Sequence, residues 1–109
     1  TDVNNEMRVC KEEIFGPVVG VQTFNTEEEA IRLANDTTYG LNAMLFTENV
    51  RRAHRVAGQL RAGTVWVNCF FIRDLRAPFG GFGDSGIGRE GGKYSKEFFT
   101  EPKAVVMKL

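Results

Sequence analysis

NCFFIRDLRAPFGGFGDSGIGREGG, Asn68 to Gly92, is the segment around which this chain is arranged. Seven of the twelve glycines fall between Gly80 and Gly92, and the whole segment carries four phenylalanines and three arginines, so neither a regular helix nor a regular strand fits it. Glycine loses more conformational freedom on folding than any other residue, so such density marks backbone that needs positive φ or a close approach. The segment reads as a shaped loop that closes a ligand site.

Reading outward, Thr64 to Asn68 (TVWVN) is a β-branched strand that feeds the loop directly. Before it, Asn49 to Ala62 places Val50, Ala53, Ala57 and Leu60 on one helical face and Arg51, Arg52, Arg55 and Arg61 on the other. Gly63 stands where a helix-terminating glycine belongs. Leu41 to Thr47 (LNAMLFT) predicts a second strand, and Asn35 to Gly40 a polar turn. Thr26 and Glu29 form a capping box that opens a helix whose stripe is Ala30, Ile31, Leu33 and Ala34. Pro17 to Phe24 (PVVGVQTF) predicts a further strand. Beyond the loop, Lys93 to Phe99 makes a short helix that Pro102 stops, and Lys103 to Leu109 (KAVVMKL) reads as a last strand. Strands alternating with helical crossovers predict an α/β domain with a largely parallel sheet. The last strand is free to pair with another segment or subunit.

Composition narrows the classes. The 109 residues carry 14 basic and 14 acidic side chains, interspersed, which argues against a nucleic-acid stripe or a polybasic membrane surface. No apolar run approaches the roughly 20 residues that span a bilayer. Two cysteines, Cys10 and Cys69, do not build a disulfide framework, so a reducing cytoplasm is the expected setting. The chain opens at Thr1 and runs almost at once into apolar sequence, which reads as the tail of a longer protein. Processing of a complete small protein is the alternative.

Several residues invite chemistry. Gly81 to Gly86 spells G-x-G-x-x-G, but no strand precedes it and no helix opens after it, so it is rejected as a dinucleotide fingerprint. His54 has no second histidine or suitably spaced cysteines, and no metal site is expected. Cys69 and Cys10 lack an activating histidine nearby and read as structural thiols. Phe70, Phe71, Phe79 and Phe82 follow no core periodicity and suit the wall of a small-molecule pocket. Arg73 and Arg76 in that setting suit a bidentate carboxylate clamp, with a solvated loop as the equal alternative. Glu13 and Phe15 suit sugar hydroxyls and a flat ring, although an exposed glutamate and a core phenylalanine are the stronger reading from physics alone.

Glu12-Glu13-Ile14-Phe15-Gly16-Pro17, Ala62-Gly63-Thr64-Val65-Trp66-Val67-Asn68, and Pro78-Phe79-Gly80-Gly81 through Ser85-Gly86-Ile87-Gly88-Arg89-Glu90 occur together in this order. On these motifs the chain resembles, over essentially its whole length, the C-terminal portion of the NAD(P)-dependent aldehyde dehydrogenase superfamily. Asn68 to Phe79 is similar to the semialdehyde dehydrogenases of aromatic catabolism, the 5-carboxymethyl-2-hydroxymuconate semialdehyde type first, then the 2-hydroxymuconate and aminomuconate types. The resemblance implies part of a three-layer catalytic domain over residues 1–100, including the substrate loop 68–92, and an oligomerisation strand over 101–109.

The family oxidises an aldehyde through cysteine attack, hydride transfer to the nicotinamide and hydrolysis of the thioester. The resemblance implies that Glu13 binds the nicotinamide ribose hydroxyls and that Phe15 packs near the nicotinamide. It makes Phe79 a wall of the aldehyde tunnel and Phe71 to Arg73 the loop that shapes substrate choice. Arg73, and less directly Arg76, would hold a substrate carboxylate, and Glu90 matches a buried glutamate of the hydrolytic proton relay. NAD is the implied cofactor, with NADP left open, no metal, and a homodimer or homotetramer as the assembly. The family's nucleophilic cysteine, general-base glutamate and main dinucleotide-binding domain match nothing here, since Cys69 does not fit the nucleophile's motif. Gly83 stands where many relatives carry lysine. The expectation is a fragment inactive by itself, and the rival is a truncated, non-catalytic module that associates through Lys103 to Leu109.

Overall fold

A computed structural model describes residues 2–109. Asn42–Leu45 (β1) and Thr64–Val67 (β2) pair in parallel, Asn42 opposite Thr64 and Leu45 opposite Val67. Parallel partners need a crossover. Val50–Ala57 (α3) supplies it and packs against β2. The other helices are Arg8–Lys11 (α1), Glu27–Asn35 (α2) and Gly92–Phe99 (α4), with a single 3-10 turn at Gly83–Ser85. The parallel α/β reading therefore holds, carried by two strands.

Local chemistry explains the helix boundaries. The Glu29 amide donates to Thr26 Oγ1 at 3.1 Å, opening α2 as the capping box requires. The reciprocal arm differs: the Glu29 carboxylate accepts from the amide of Asn25 at 2.8 Å, one residue earlier than the standard box. Asn49 caps α3 by accepting from the Arg52 amide at 2.9 Å. That helix ends at Ala57: Gly58 still donates to the His54 carbonyl, but the Gln59 and Leu60 amides both turn back onto the Val56 carbonyl, and the expected continuation to Ala62 does not form. Gly63 is consequently not its cap.

Ion pairs tie the helices together. Arg55 of α3 donates twice to Glu27 of α2, at 2.6 and 2.8 Å, and Arg52 joins it at 3.2 Å. These arginines, Arg55 foremost, hold the Glu27 carboxyl below its ordinary value of 4.5. Lys11 meets Asp36 at 2.6 Å and Asn5 donates to the same carboxylate, together lowering the Asp36 carboxyl from 3.8. A carboxyl depressed in the folded state stabilises above its unfolded value and loses that contribution as pH falls through the folded one. Acid unfolding below about pH 4 is therefore expected to be less steep in Glu27→Gln than in the parent, as read by urea midpoints across that range.

The apolar core is thin. Val56 and Trp66, 7% and 6% exposed, are its buried hydrophobic members. The radius of gyration is 18.5 Å, against about 13 Å for a compact chain of this length, with extents of 74 × 33 × 23 Å. The strand expected over Pro17 to Phe24 does not form, and Lys103 to Leu109 pairs with no segment of this chain among the described residues. Both arms, Pro17 to Phe24 and Lys103 to Leu109, lie outside any helix or strand. β-Branched sequence favours extended backbone, yet a strand exists only where a neighbour completes its ladder. No neighbouring strand lies beside either arm among the described residues. Val19 is 84% exposed and Val106 93%.

Candidate functional site

The glycine-rich loop is anchored where two backbones almost touch. The Gly63 amide donates to the Gly40 carbonyl, and the Phe82 amide donates to the same oxygen. Gly40 in turn donates to Ser85 Oγ at 3.0 Å, and the Asp84 amide to the Thr38 carbonyl. A Cβ at Gly63 would stand 1.6 Å from the Gly80 carbonyl oxygen. Gly63 is thus a close-approach glycine between the start of β2 and the loop, a role its place after a helical pattern concealed. Ser85, quoted above only within a motif, owes its part in the anchor to the Gly40 amide that its hydroxyl accepts from.

Past this anchor the loop is clasped by an isolated antiparallel bridge. Phe79 and Glu90 exchange both backbone hydrogen bonds at 2.8 Å. Arg73 reaches the same point: its guanidinium lies 4.2 Å over the Phe79 ring, and its Nη2 meets Glu90 Oε1 at 3.2 Å. Arg73, Phe79 and Glu90, singled out separately from the sequence, are therefore one cluster. In this chain the Glu90 side chain is 55% exposed, flanked by Arg73 and Phe79.

Arg76 does not join them. It folds back on Asp74, with three side-chain contacts down to 2.6 Å, and that pair raises the Arg76 guanidinium and lowers the Asp74 carboxyl. Phe71 belongs to a second grouping. Trp66 of β2 meets Phe70 edge-on at 5.6 Å and Phe71 at 6.0 Å, while its indole N–H donates to the Ile72 carbonyl at 2.9 Å. This holds the loop's first turn on the sheet, with Asn68 and Phe71 both at positive φ. Asn68 also exchanges two hydrogen bonds of 2.8 Å with the backbone of Thr47, closing the ends of β1 and β2 together.

Glu13 and Phe15 lie apart from the cluster. Both line a cleft of about 550 Å³ whose other walls include Asn35, Tyr39, Gly40 and Ser85. Phe15 is 95% exposed in this chain. Glu13 lies two residues before that ring on the same cleft wall. Around Gly81 to Gly86 the backbone makes a bridge residue and a 3-10 turn rather than a strand-to-helix junction, which agrees with rejecting a dinucleotide fingerprint. Cys10 and Cys69 are unbonded thiols. Among the described residues no three His, Cys, Asp or Glu side chains gather as metal ligands, and no helix is long and apolar enough to cross a membrane.

A parallel βαβ unit that feeds a glycine loop defines an α/β domain. The aldehyde dehydrogenase family matches residues 1–105, and the chain belongs to that family. It is 58% identical over 109 residues to the 2-hydroxymuconic semialdehyde dehydrogenase of Pseudomonas putida, covering 100% of this chain and 22% of that one. It is 55% identical over 108 residues to the 2-aminomuconic semialdehyde dehydrogenase of Bos taurus, covering 99% and 22%. Among solved structures, the indole-3-acetaldehyde dehydrogenase of P. syringae in complex with NAD+ and IAA superposes with a TM-score of 0.90. The two are 53% identical, over 99% of this chain and 22% of that one. The chain thus spans about a fifth of the length of these relatives. Their names carry the second and third of the three semialdehyde types expected from the loop.

Proposed function

We propose that this chain is the C-terminal part of a longer NAD-linked dehydrogenase that oxidises a carboxylated semialdehyde of aromatic catabolism to the acid. The observation that carries the reading is Arg73, whose guanidinium carbon lies 4.2 Å from the centre of the Phe79 ring beside the glycine loop and whose side chain is 34% exposed. A fixed guanidinium beside an aromatic wall recognises an anionic end on an otherwise apolar substrate. The muconic semialdehyde relatives support that substrate class, and 2-hydroxymuconic semialdehyde is the first compound to try.

The roles divide by element. Arg73 holds the distal carboxylate, Phe79 and Phe71 wall the apolar body, and Arg76, tied to Asp74, shapes the loop around them. Glu90 accepts or relays a proton at the same edge. Glu13 and Phe15 hold the ribose and ring of NAD, which supplies the hydride acceptor when bound. NADP remains compatible with this part of the chain. Residues 1–100 belong to the catalytic domain, and 101–109 supplies a strand to a neighbouring subunit of a homodimer or homotetramer. Two free thiols favour a reducing cytoplasm as its setting.

The full-length protein is expected to form NADH from NAD and 2-hydroxymuconic semialdehyde, whereas the 109-residue chain alone forms none. Turnover by the isolated chain would remove the fragment reading. Failure of the full-length protein on any carboxylated semialdehyde would remove the substrate reading.

A further inference from the structure

The Arg–carboxylate pairs among the described residues are of two kinds, tight pairs with several bonds and single contacts of 3.2 Å such as Arg52 to Glu27. Arg55 grips Glu27 with two bonds of 2.6 and 2.8 Å, and Arg76 grips Asp74 with contacts down to 2.6 Å. Arg73 touches Glu90 through a single Nη2–Oε1 contact of 3.2 Å, long for a charge-assisted bond, which ordinarily falls near 2.7–2.9 Å. The same guanidinium is held in place from its face, by Phe79 at 4.2 Å. Glu90 is held from its backbone, by both bonds to Phe79. The aromatic and the bridge therefore fix the two partners while the ion pair itself is loose.

From this we infer that Glu90 is a resident stand-in for the substrate's carboxylate on Arg73, displaced when an anionic substrate binds. The inference rests on Arg73 being the carboxylate site proposed above. A free carboxylate offers two oxygens to the planar fork, where Glu90 offers one. Exchange therefore replaces a weak, half-exposed pair by a bidentate one, at little cost to the loop. It also releases the Glu90 carboxylate only when an anion has arrived. Binding of the correct substrate and freeing of the residue assigned to proton handling become one event, and an uncharged aldehyde leaves Glu90 paired. Phe79 is in this arrangement a positioning residue: its ring keeps Arg73 in reach during the exchange.

The test is calorimetric binding of adipate, an unreactive six-carbon dicarboxylate, to the full-length enzyme. Glu90→Gln and Glu90→Ala are both expected to bind adipate about two- to fivefold more tightly than the parent, because the internal competitor is gone. Arg73→Ala is expected to bind it at least about tenfold more weakly, and adding Glu90→Gln to that variant to change nothing further. Glu97→Gln on α4 controls for a general change in charge and should leave the affinity unaltered. Unchanged or weaker binding in both Glu90 variants, with Arg73→Ala still impaired, overturns the exchange and leaves the clamp standing. An equal gain from Glu97→Gln overturns it as well. Unimpaired binding in Arg73→Ala removes the clamp itself, and the exchange with it.

Discussion

Gly63→Ala is expected to cost the fold about 3 kcal/mol or more, the upper end for overpacking. Nothing in the backbone forbids the change, since φ at Gly63 lies outside the left-handed region. Space forbids it. The new methyl would stand 1.6 Å from the Gly80 carbonyl oxygen and 3.4 Å from the Leu41 carbonyl oxygen, both main-chain atoms with no rotamer to yield. The loop would have to leave β2, carrying Phe79, Glu90 and the Phe82-to-Gly40 bond with it. Two controls separate the causes. At Gly86 the surroundings are empty within 4 Å but φ is +120°, so Gly86→Ala tests backbone strain alone and should cost about 1–3 kcal/mol. At Gly16 the nearest atom is a flexible Ile14 methyl at 3.9 Å and φ is unexceptional, so alanine there should be neutral or mildly stabilising. Urea midpoints of the three variants in the full-length enzyme check the order. A Gly63→Ala variant as stable as Gly16→Ala would mean the loop does not sit against β2.

The second large effect belongs to Arg73. Arg73→Ala is expected to raise KM for a carboxylate-bearing semialdehyde by about ten- to a hundredfold, in line with about 1.5–3 kcal/mol for hydrogen bonds to a charged group. KM for an uncharged aldehyde of similar length should move little, because the Phe79 wall remains. Arg73→Lys should recover only part of the loss, since an ammonium keeps the charge but not the planar fork or its stacking on Phe79. Arg76→Ala provides the contrast. With its guanidinium already committed to Asp74, its removal should disturb loop order rather than discriminate between charged and uncharged substrates. Steady-state kinetics on the paired substrates decide it. Equal losses on both would show that Arg73 supports the loop and does not read the carboxylate.

The sequence by itself determined the local elements and the family. Thr26 with Glu29, Asn49 with Arg52, and the alternation of TVWVN and LNAML with helical stretches are short-range facts, set by capping and by side-chain period within a few residues. The three motifs that carry the resemblance are equally local. What only the tertiary structure decided is which of the singled-out residues meet. Arg73 and Arg76 are three apart and looked alike, but one lies over Phe79 and the other turns back to Asp74. Gly63 looked like a helix stop and is instead a gap kept open for the Gly80 carbonyl. These outcomes depend on where a glycine-rich backbone folds through space, and no periodicity records that. The two arms make the converse point. Pro17 to Phe24 and Lys103 to Leu109 have the composition of strands, but a strand is a relation between two segments. Without a partner's amides and carbonyls alongside, β-branched sequence does not by itself make a strand.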